Sequence, residues 1–265
     1  MKYSFGFIGC GNMGGALVKA VSKQVDGAKI AVTDHCQDKV TALANALGVT
    51  PATATEIARE SKFVVLGVKP QNMPDTVAEI AKILQARKDV VIISMAVSTT
   101  IAKIRALIGT ELPVIRIMPN TPVAVGAGMV LYATDGVCQT DEQAFLTAFA
   151  KAGKLDTLPE DKIDSASALS GCGPAFVYAF AEALADGAVE CGVPRDKAIL
   201  YASQTLLGSA EMLLAYGHPA DLKDAVCSPG GTTIAGMHAL ENGSMRGAVM
   251  DAVLSAYNRA LELKK

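Results

Sequence analysis

Three glycine-bearing turns carry most of the chemistry that this chain of 265 residues could perform. The first is Ile8-Gly9-Cys10-Gly11-Asn12-Met13-Gly14, with the spacing GxGxxG. It follows a predicted strand and opens a predicted helix, the setting in which such a turn binds a dinucleotide. Gly9 permits the tight turn, Gly11 lets the main chain approach a pyrophosphate, Gly14 lets helix lie close on strand, and the helix amides face the phosphate charge. A glycine turn that only reverses the chain is the plainer alternative. Asp34 lies twenty positions past Gly14, at the end of the second predicted strand. An acidic side chain there accepts hydrogen bonds from a ribose hydroxyl and favours NADH, whereas the phosphorylated ribose of NADPH wants arginine or lysine nearby. The segment Asp34-His35-Cys36-Gln37-Asp38-Lys39 offers only His35 and Lys39. A plain turn role for Asp34 is equally consistent, and the coenzyme is read as NADPH or NADH.

Two further clusters fall at carboxyl ends of predicted strands, the edge at which open α/β sheets bind ligands. In Gly67-Val68-Lys69-Pro70 the proline stiffens the exit and holds Lys69 near the cofactor, although a surface lysine would look the same. In Arg116-Ile117-Met118-Pro119-Asn120-Thr121-Pro122 two prolines bracket Asn120-Thr121, and the restricted loop suits holding a ring in place. The last glycine turn, Cys227-Ser228-Pro229-Gly230-Gly231-Thr232-Thr233, runs straight into the helical stretch 234–241. Unpaired amides and a positive dipole end make it an anion cradle for a small carboxylate, with Thr233 left to donate to a neighbouring atom. An ordinary N-cap is the alternative. The middle turn, Ser170-Gly171-Cys172-Gly173-Pro174, opens a long helix whose start, 175–180, holds no lysine and no histidine. Oxidation of an alcohol would want such a group as acid and base. An imine, whose nitrogen can take its proton from water, needs hydride delivery and orientation instead.

These turns are placed by an alternation of short β-rich runs and longer helical stretches over the first 150 or so residues, the pattern of βαβ units. Strands are predicted at 4–8, 29–33, 63–68, 90–94 and 114–117, with helices at 13–24, 38–47, 55–60, 73–85 and 100–108. The fold class is therefore α/β, a Rossmann-type doubly wound parallel sheet, followed by a second, all-helical domain with long helices at 174–191, 194–216 and 245–263. The boundary is placed between residues 1–160 and 161–265. In the first long helix the only charges, Glu182, Asp186 and Glu190, are spaced by four and share one stripe. The rest of that surface is apolar, which suits either a central core helix or packing against a second copy of the chain.

Composition narrows the classes further. With 24 basic and 26 acidic residues, 51% hydrophobic and 19% charged, the chain is neither disordered nor built to bind nucleic acid. No unbroken apolar run approaches the roughly 18 to 20 residues of a spanning helix, so no membrane partner is expected. The six cysteines and three histidines show neither CxxC nor metal-ligand spacing. No metal and no disulfide scaffold is expected, and a reducing cytoplasm fits, as does an amino terminus without an apolar signal region.

Taken together the motifs resemble, nearly end to end, those of the pyrroline-5-carboxylate reductase family. The residues that carry the resemblance are 9–14, Val68-Lys69-Pro70-Gln71, Met118-Pro119-Asn120-Thr121-Pro122, Leu169-Ser170-Gly171-Cys172-Gly173-Pro174-Ala175 and, most specifically, Ser228-Pro229-Gly230-Gly231-Thr232-Thr233-Ile234-Ala235-Gly236. The resemblance implies reduction of 1-pyrroline-5-carboxylate to L-proline, a helical dimerisation domain interlocked with its partner, and often a ring of five dimers. It implies cofactor contacts at Ile8 to Met13, Val68, Lys69, Pro70, Met95 and Ala96, a substrate carboxylate on the amides of the loop Gly230 to Thr233 with Ser228 beside it, and the Thr233 hydroxyl toward the ring nitrogen. Three positions depart from the family pattern. Cys172 replaces the usual serine, Ala96-Val97-Ser98 lacks the Ala-Gly typical after that strand, and Asp34 stands where members preferring NADPH offer hydroxyls or a basic partner. Other readings on the same scaffold are a hydroxy-acid dehydrogenase, a reductase of another cyclic imine, or a dinucleotide-binding sensor without turnover.

Overall fold

Runs such as Phe63-Val64-Val65-Leu66 are apolar on both faces, so both faces must be covered, and a sheet sandwiched between helices does this. The computed structural model describes residues 1–262 and has that build in its first part. Strands β1 (Tyr3–Ile8), β2 (Ile30–Thr33), β3 (Thr50–Pro51), β4 (Ser61–Leu66), β5 (Val91–Ser94), β6 (Val114–Pro119), β7 (Gly128–Asp135) and β8 (Gly153–Thr157) form one sheet in the order 3-2-1-4-5-6-7-8. Helices α1 (Asn12–Val21), α2 (Gln37–Leu47) and α6 (Gln139–Phe149) bury Leu17, Leu43 and Phe145 with Phe7, Val65 and Ile117 on one face. Helices α3 (Ala54–Glu60), α4 (Met73–Gln85) and α5 (Ile101–Ile108) bury Ile57, Ile80 and Ile104 with Val64, Ile92 and Val114 on the other. The sheet is doubly wound, and its order reverses beside β1, where such folds bind ligands.

The five predicted strands are present, but the sheet is larger than the sequence reading made it. Strands β3, β7 and β8 and helix α6 were not anticipated, and β7 runs antiparallel to β6, pairing Ile117 with Tyr132. The sheet is thus mostly, not wholly, parallel. The segment read as a short helical piece is α3, started by a capping box in which Thr53 N donates to Glu56 Oε2 at 2.8 Å and Glu56 N donates to Thr53 Oγ1 at 3.2 Å.

Helix α7 (Glu160–Ser170) lies on β6 and β7 through Ile163, Met118 and Leu131. A buried cation fixes it there. Arg116 on β6, its side chain 1% exposed, donates to Asp164 Oδ1 at 2.7 Å and to Glu160 Oε1 at 3.3 Å. The same Glu160 oxygen accepts from Ile101 N at 2.7 Å, so one carboxylate joins α7, β6 and the first turn of α5.

The chain divides into two compact units, Met1–Cys172 together with the chain from Tyr257 on, and Gly173–Ala256. Among its described residues the second unit is entirely helical: α8 (Gly173–Glu190), α9 (Arg195–Tyr216), α10 (Pro219–Ala225), α11 (Thr232–Asn242) and most of α12 (Met245–Glu262). The predicted last helix ends at Leu263, which lies outside the described residues. Helices α8 and α9 meet through small residues, Ala185, Ala198 and Ala202, and Asp186 of the predicted acidic stripe accepts from Arg195. Large apolar side chains stay in the open within this chain, among them Tyr178, Leu200, Leu214 and Met250. The stretches Glu160–Glu190 and Arg195–Tyr216 are long and apolar enough, by length and composition, to cross a bilayer, with mean hydropathy 1.3 and 1.2 over their most apolar 18 residues. They contain no long unbroken apolar run, because a few charges are scattered through each.

Candidate active site

Strand β1 sits between β2 and β4, with Ile8 in register with Thr33 and Leu66, so three strand ends converge on the first glycine turn. Gly9 N donates to Thr33 O at 2.9 Å and Gly67 N donates to Ile8 O at 2.8 Å. Gly9 has φ +100°, and a Cβ on it would stand 2.6 Å from the carbonyl carbon of Gly67. A Cβ on Gly14 would overlap the carbonyl oxygen of Gly9. These two glycines are therefore demanded by contact between main chains. Gly11 differs, since a Cβ there would meet nothing within 4 Å. It is the N-cap of α1 and makes no side-chain capping bond, so the first-turn amides face open space. Helix-start amides without a side-chain cap, behind a glycine with nothing within 4 Å of its Cβ position, suit a pyrophosphate, and these residues fit the dinucleotide that the motif implies.

Asp34, at the end of β2, is clamped to this turn. Its Oδ2 accepts from Cys10 N at 2.6 Å and its Oδ1 from Cys36 N at 2.9 Å, with His35 Nδ1 at 3.1 Å from Oδ1. Burial pushes its carboxyl up, but the hydrogen bonds from Cys36 and Cys10 and the nearby His35 and Lys39 outweigh this and hold it below the ordinary carboxylate range. Burial first, and the Asp34 charge second, push the Cys10 thiol up to about 12, so it stays protonated at neutral pH and is no nucleophile.

The other strand ends bring the remaining predicted cofactor residues to the same edge of the sheet. Val68 is half-buried beyond β4, and Lys69 and Pro70 are exposed, the proline opening a short 3-10 turn. Met95, after β5, donates its N–H to Leu66 O at 3.3 Å and is half-buried beside the buried Ala96. The departure at Ala96-Val97-Ser98 leaves Ser98 at φ +56°, a left-handed conformation that glycine takes without strain. Asn120, beyond β6, is a clamp: its Oδ1 accepts from Met129 N and its Nδ2 donates to Ser170 O, both at 2.8 Å, tying together β6, β7 and the last turn of α7. Gly67 was not singled out from the sequence as a site residue. Its only signal there was its place at a strand end, and its role, a close approach to Gly9, appears only when the strands are paired.

In the helical unit the predicted carboxylate loop joins α10 to α11. Gly230 takes φ +68° and Gly231 is the N-cap of α11, its N–H donating to Ser228 O at 3.0 Å. No side chain caps the helix, and Ser228, Thr232 and Thr233 are exposed. A Cβ on Gly231 would stand 2.5 Å from Ser228 Oγ, which the serine relieves by rotating, and 3.1 Å from Ser228 O, a tight contact with main chain. A separate groove of about 770 Å³, floored by Phe5 and Phe63 and rimmed by the Lys62 to Asp141 ion pair at 2.6 Å, lies at the amino ends of β1 and β4. That is the edge of the sheet opposite the glycine turn.

Comparison with known proteins agrees with both halves. A family model described as pyrroline-5-carboxylate reductase dimerisation matches residues 160–263, and one described as NADP oxidoreductase, coenzyme F420-dependent, matches residues 4–98. The pyrroline-5-carboxylate reductase of Pisum sativum is 41% identical over 99% of this chain and 96% of its own. The chain belongs to the pyrroline-5-carboxylate reductase family. Among solved structures, a pyrroline-5-carboxylate reductase from Coxiella burnetii is 32% identical with a TM-score of 0.91, covering 100% of both chains. That of Plasmodium falciparum, solved with NADP bound, is 29% identical with a TM-score of 0.85, again over 100% of both. For a pyrroline-5-carboxylate reductase family member the division is natural: the oxidoreductase match holds the glycine turn, Asp34, Val68-Lys69-Pro70, Met95 and Ala96, and the dimerisation match holds the loop Ser228 to Thr233.

Proposed function

We propose that this chain reduces 1-pyrroline-5-carboxylate to L-proline with NADPH or NADH, the last step of proline biosynthesis. The observation that carries the reading is the uncapped start of α11 behind Gly230-Gly231, a carboxylate-sized cradle in a chain whose other unit presents a dinucleotide turn. When bound, the reduced nicotinamide supplies the hydride for the imine carbon. The chain's own residues do the rest by holding. The turn Ile8 to Met13 receives the pyrophosphate on the amides at the first turn of α1, Gly9 N and Cys10 N being spent on Thr33 O and Asp34 Oδ2, with Gly14 setting helix against strand. Val68, Lys69, Pro70, Met95, Ala96 and Asn120 line the path along the strand ends, and Asp34 takes the ribose. The loop of Ser228, Gly230, Gly231 and Thr232 holds the substrate carboxylate at the start of α11, with Gly231 N kept on Ser228 O to fix its shape, and the Thr233 hydroxyl donates to the ring nitrogen.

Holding reactants in the right geometry can supply most of such a rate enhancement. Thr233→Ala is accordingly expected to lower kcat about ten- to a few-hundredfold with pyrroline-5-carboxylate, far less than loss of an obligate nucleophile. Turnover at the parent rate would remove Thr233 from the mechanism. A hydroxy-acid dehydrogenase on the same scaffold is disfavoured by the absence of lysine and histidine from residues 175–180, and a panel of imines and hydroxy acids separates the two.

The reading includes assembly. Residues 1–160 serve as the dinucleotide domain and 161–265 as the substrate and dimerisation domain. The apolar faces of α8, α9 and α12, exposing Val177, Tyr178, Leu200, Leu207, Val249 and Leu254 in the single chain, pack on a second copy. Five such dimers form the larger ring. Sedimentation velocity at micromolar concentration is expected to show a dimer or a multiple of it; a 27.4 kDa species alone would overturn the assembly. The six cysteines are free thiols, which suits the reducing cytoplasm proposed as its compartment.

A further inference from the structure

We infer that Asp34 makes this enzyme select NADH over NADPH, an inference that rests on the dinucleotide reading above and sharpens it. The carboxylate stands at the carboxyl end of β2, where a Rossmann-type unit holds the adenosine ribose. A mobile acid at such a place could swing aside for a phosphate, but this one cannot. Its side chain is 4% exposed, and each oxygen is already fixed by a main-chain amide, from Cys10 on one side and Cys36 on the other. A carboxylate has about four acceptor positions. Two are taken by the amides, and the remainder can accept the 2′- and 3′-hydroxyls of an unphosphorylated ribose.

A 2′-phosphate would bring further negative charge against this fixed anion. What the surrounding residues offer in return is small. The cations near Asp34 are His35, with its side chain 89% exposed, and the exposed Lys39, and the segment 34–39 has no arginine to grip a phosphate with two parallel bonds. Asp38 adds a second acid to the same turn. The clamp also links specificity to the glycine turn: moving Asp34 to relieve the repulsion would release Cys10 N, in the middle of the turn that receives the pyrophosphate.

The test is calorimetric titration of the full-length protein with ADP-ribose and with its 2′-phosphate, without nicotinamide or imine. Parent protein is expected to bind ADP-ribose at least about tenfold more tightly. Equal binding, tighter binding of the phosphorylated probe, or binding of neither overturns the proposal. Asp34→Ser should bring the two affinities within about threefold; an undiminished preference would show that another residue sets it. Because that change also removes two loop bonds, His35→Arg is the companion variant. It leaves Asp34 and its amide partners in place and should tighten only the phosphorylated probe, and tightening both alike would count against the proposal. Since no imine takes part, failure here leaves the reduction of pyrroline-5-carboxylate standing, and loss of that activity would not alter the ratio of affinities.

Discussion

Replacing Arg116 by methionine is expected to remove about 3–5 kcal/mol of folding stability, the cost of breaking one side of a buried ion pair. The guanidinium is 1% exposed and lies between Asp164 at 2.7 Å and Glu160 at 3.3 Å. Methionine fills similar space but removes the guanidinium that binds the Asp164 carboxylate, itself 4% exposed. The loss should spread, because the Glu160 oxygen that Arg116 steadies also accepts the Ile101 amide at the start of α5. Lysine keeps the charge but not the fork that reaches two carboxylates at once, so Arg116→Lys should recover only part of the loss. Urea unfolding followed by far-ultraviolet circular dichroism measures both. A methionine variant within 1 kcal/mol of the parent would mean that apolar packing of Ile163 on Met118 and Leu131, and not the ion pair, holds α7 to the sheet.

What could be read from the sequence was what is local. Strands β1, β4, β5 and β6 announce themselves because each is buried on both faces, and Val, Ile, Leu and Phe make up half or more of each. Strand β8, Gly-Lys-Leu-Asp-Thr, is half-buried only at Gly153 and Leu155, and so short an edge strand leaves no apolar period to detect. Strand β7 has the composition of a strand, but its place depends on the chain turning back after Asn120 to run antiparallel to β6. The same division holds in the site. Gly9, Gly11, Gly14 and the Gly230-Gly231 pair were legible because the turn and the helix start they serve lie within a few residues. The bond from Cys10 to Asp34 spans 24 positions and that from Arg116 to Asp164 spans 48. No spacing rule connects such pairs, and Arg116, read as the approach to a proline-stiffened loop, gave no sign of being the most deeply buried charge among the described residues of its unit.

The glycine turn allows the requirements of the fold to be separated from those of the ligand, because its glycines are needed for different reasons. Gly14→Ala places a methyl against the Gly9 carbonyl, which is main chain and cannot rotate away, so both stability and dinucleotide binding should fall. Gly11→Val is the sharper variant. The backbone there has φ −62° and ψ −166°, extended geometry open to any residue, and no atom lies within 4 Å of the added Cβ. Thermal unfolding should therefore match the parent to within a few degrees. The isopropyl group would nonetheless occupy the space over the first-turn amides of α1. Excluding a pyrophosphate from two charge-assisted hydrogen bonds there, at roughly 2 kcal/mol each, weakens NADH binding about a thousandfold. Fluorescence titration with NADH, paired with a melting curve, reads both quantities on one sample. A Gly11→Val protein that melts normally and still binds NADH at parental affinity would show that the open space above α1 is not where the phosphates lie, and that Asp34, clamped to the same turn, does not face a ribose.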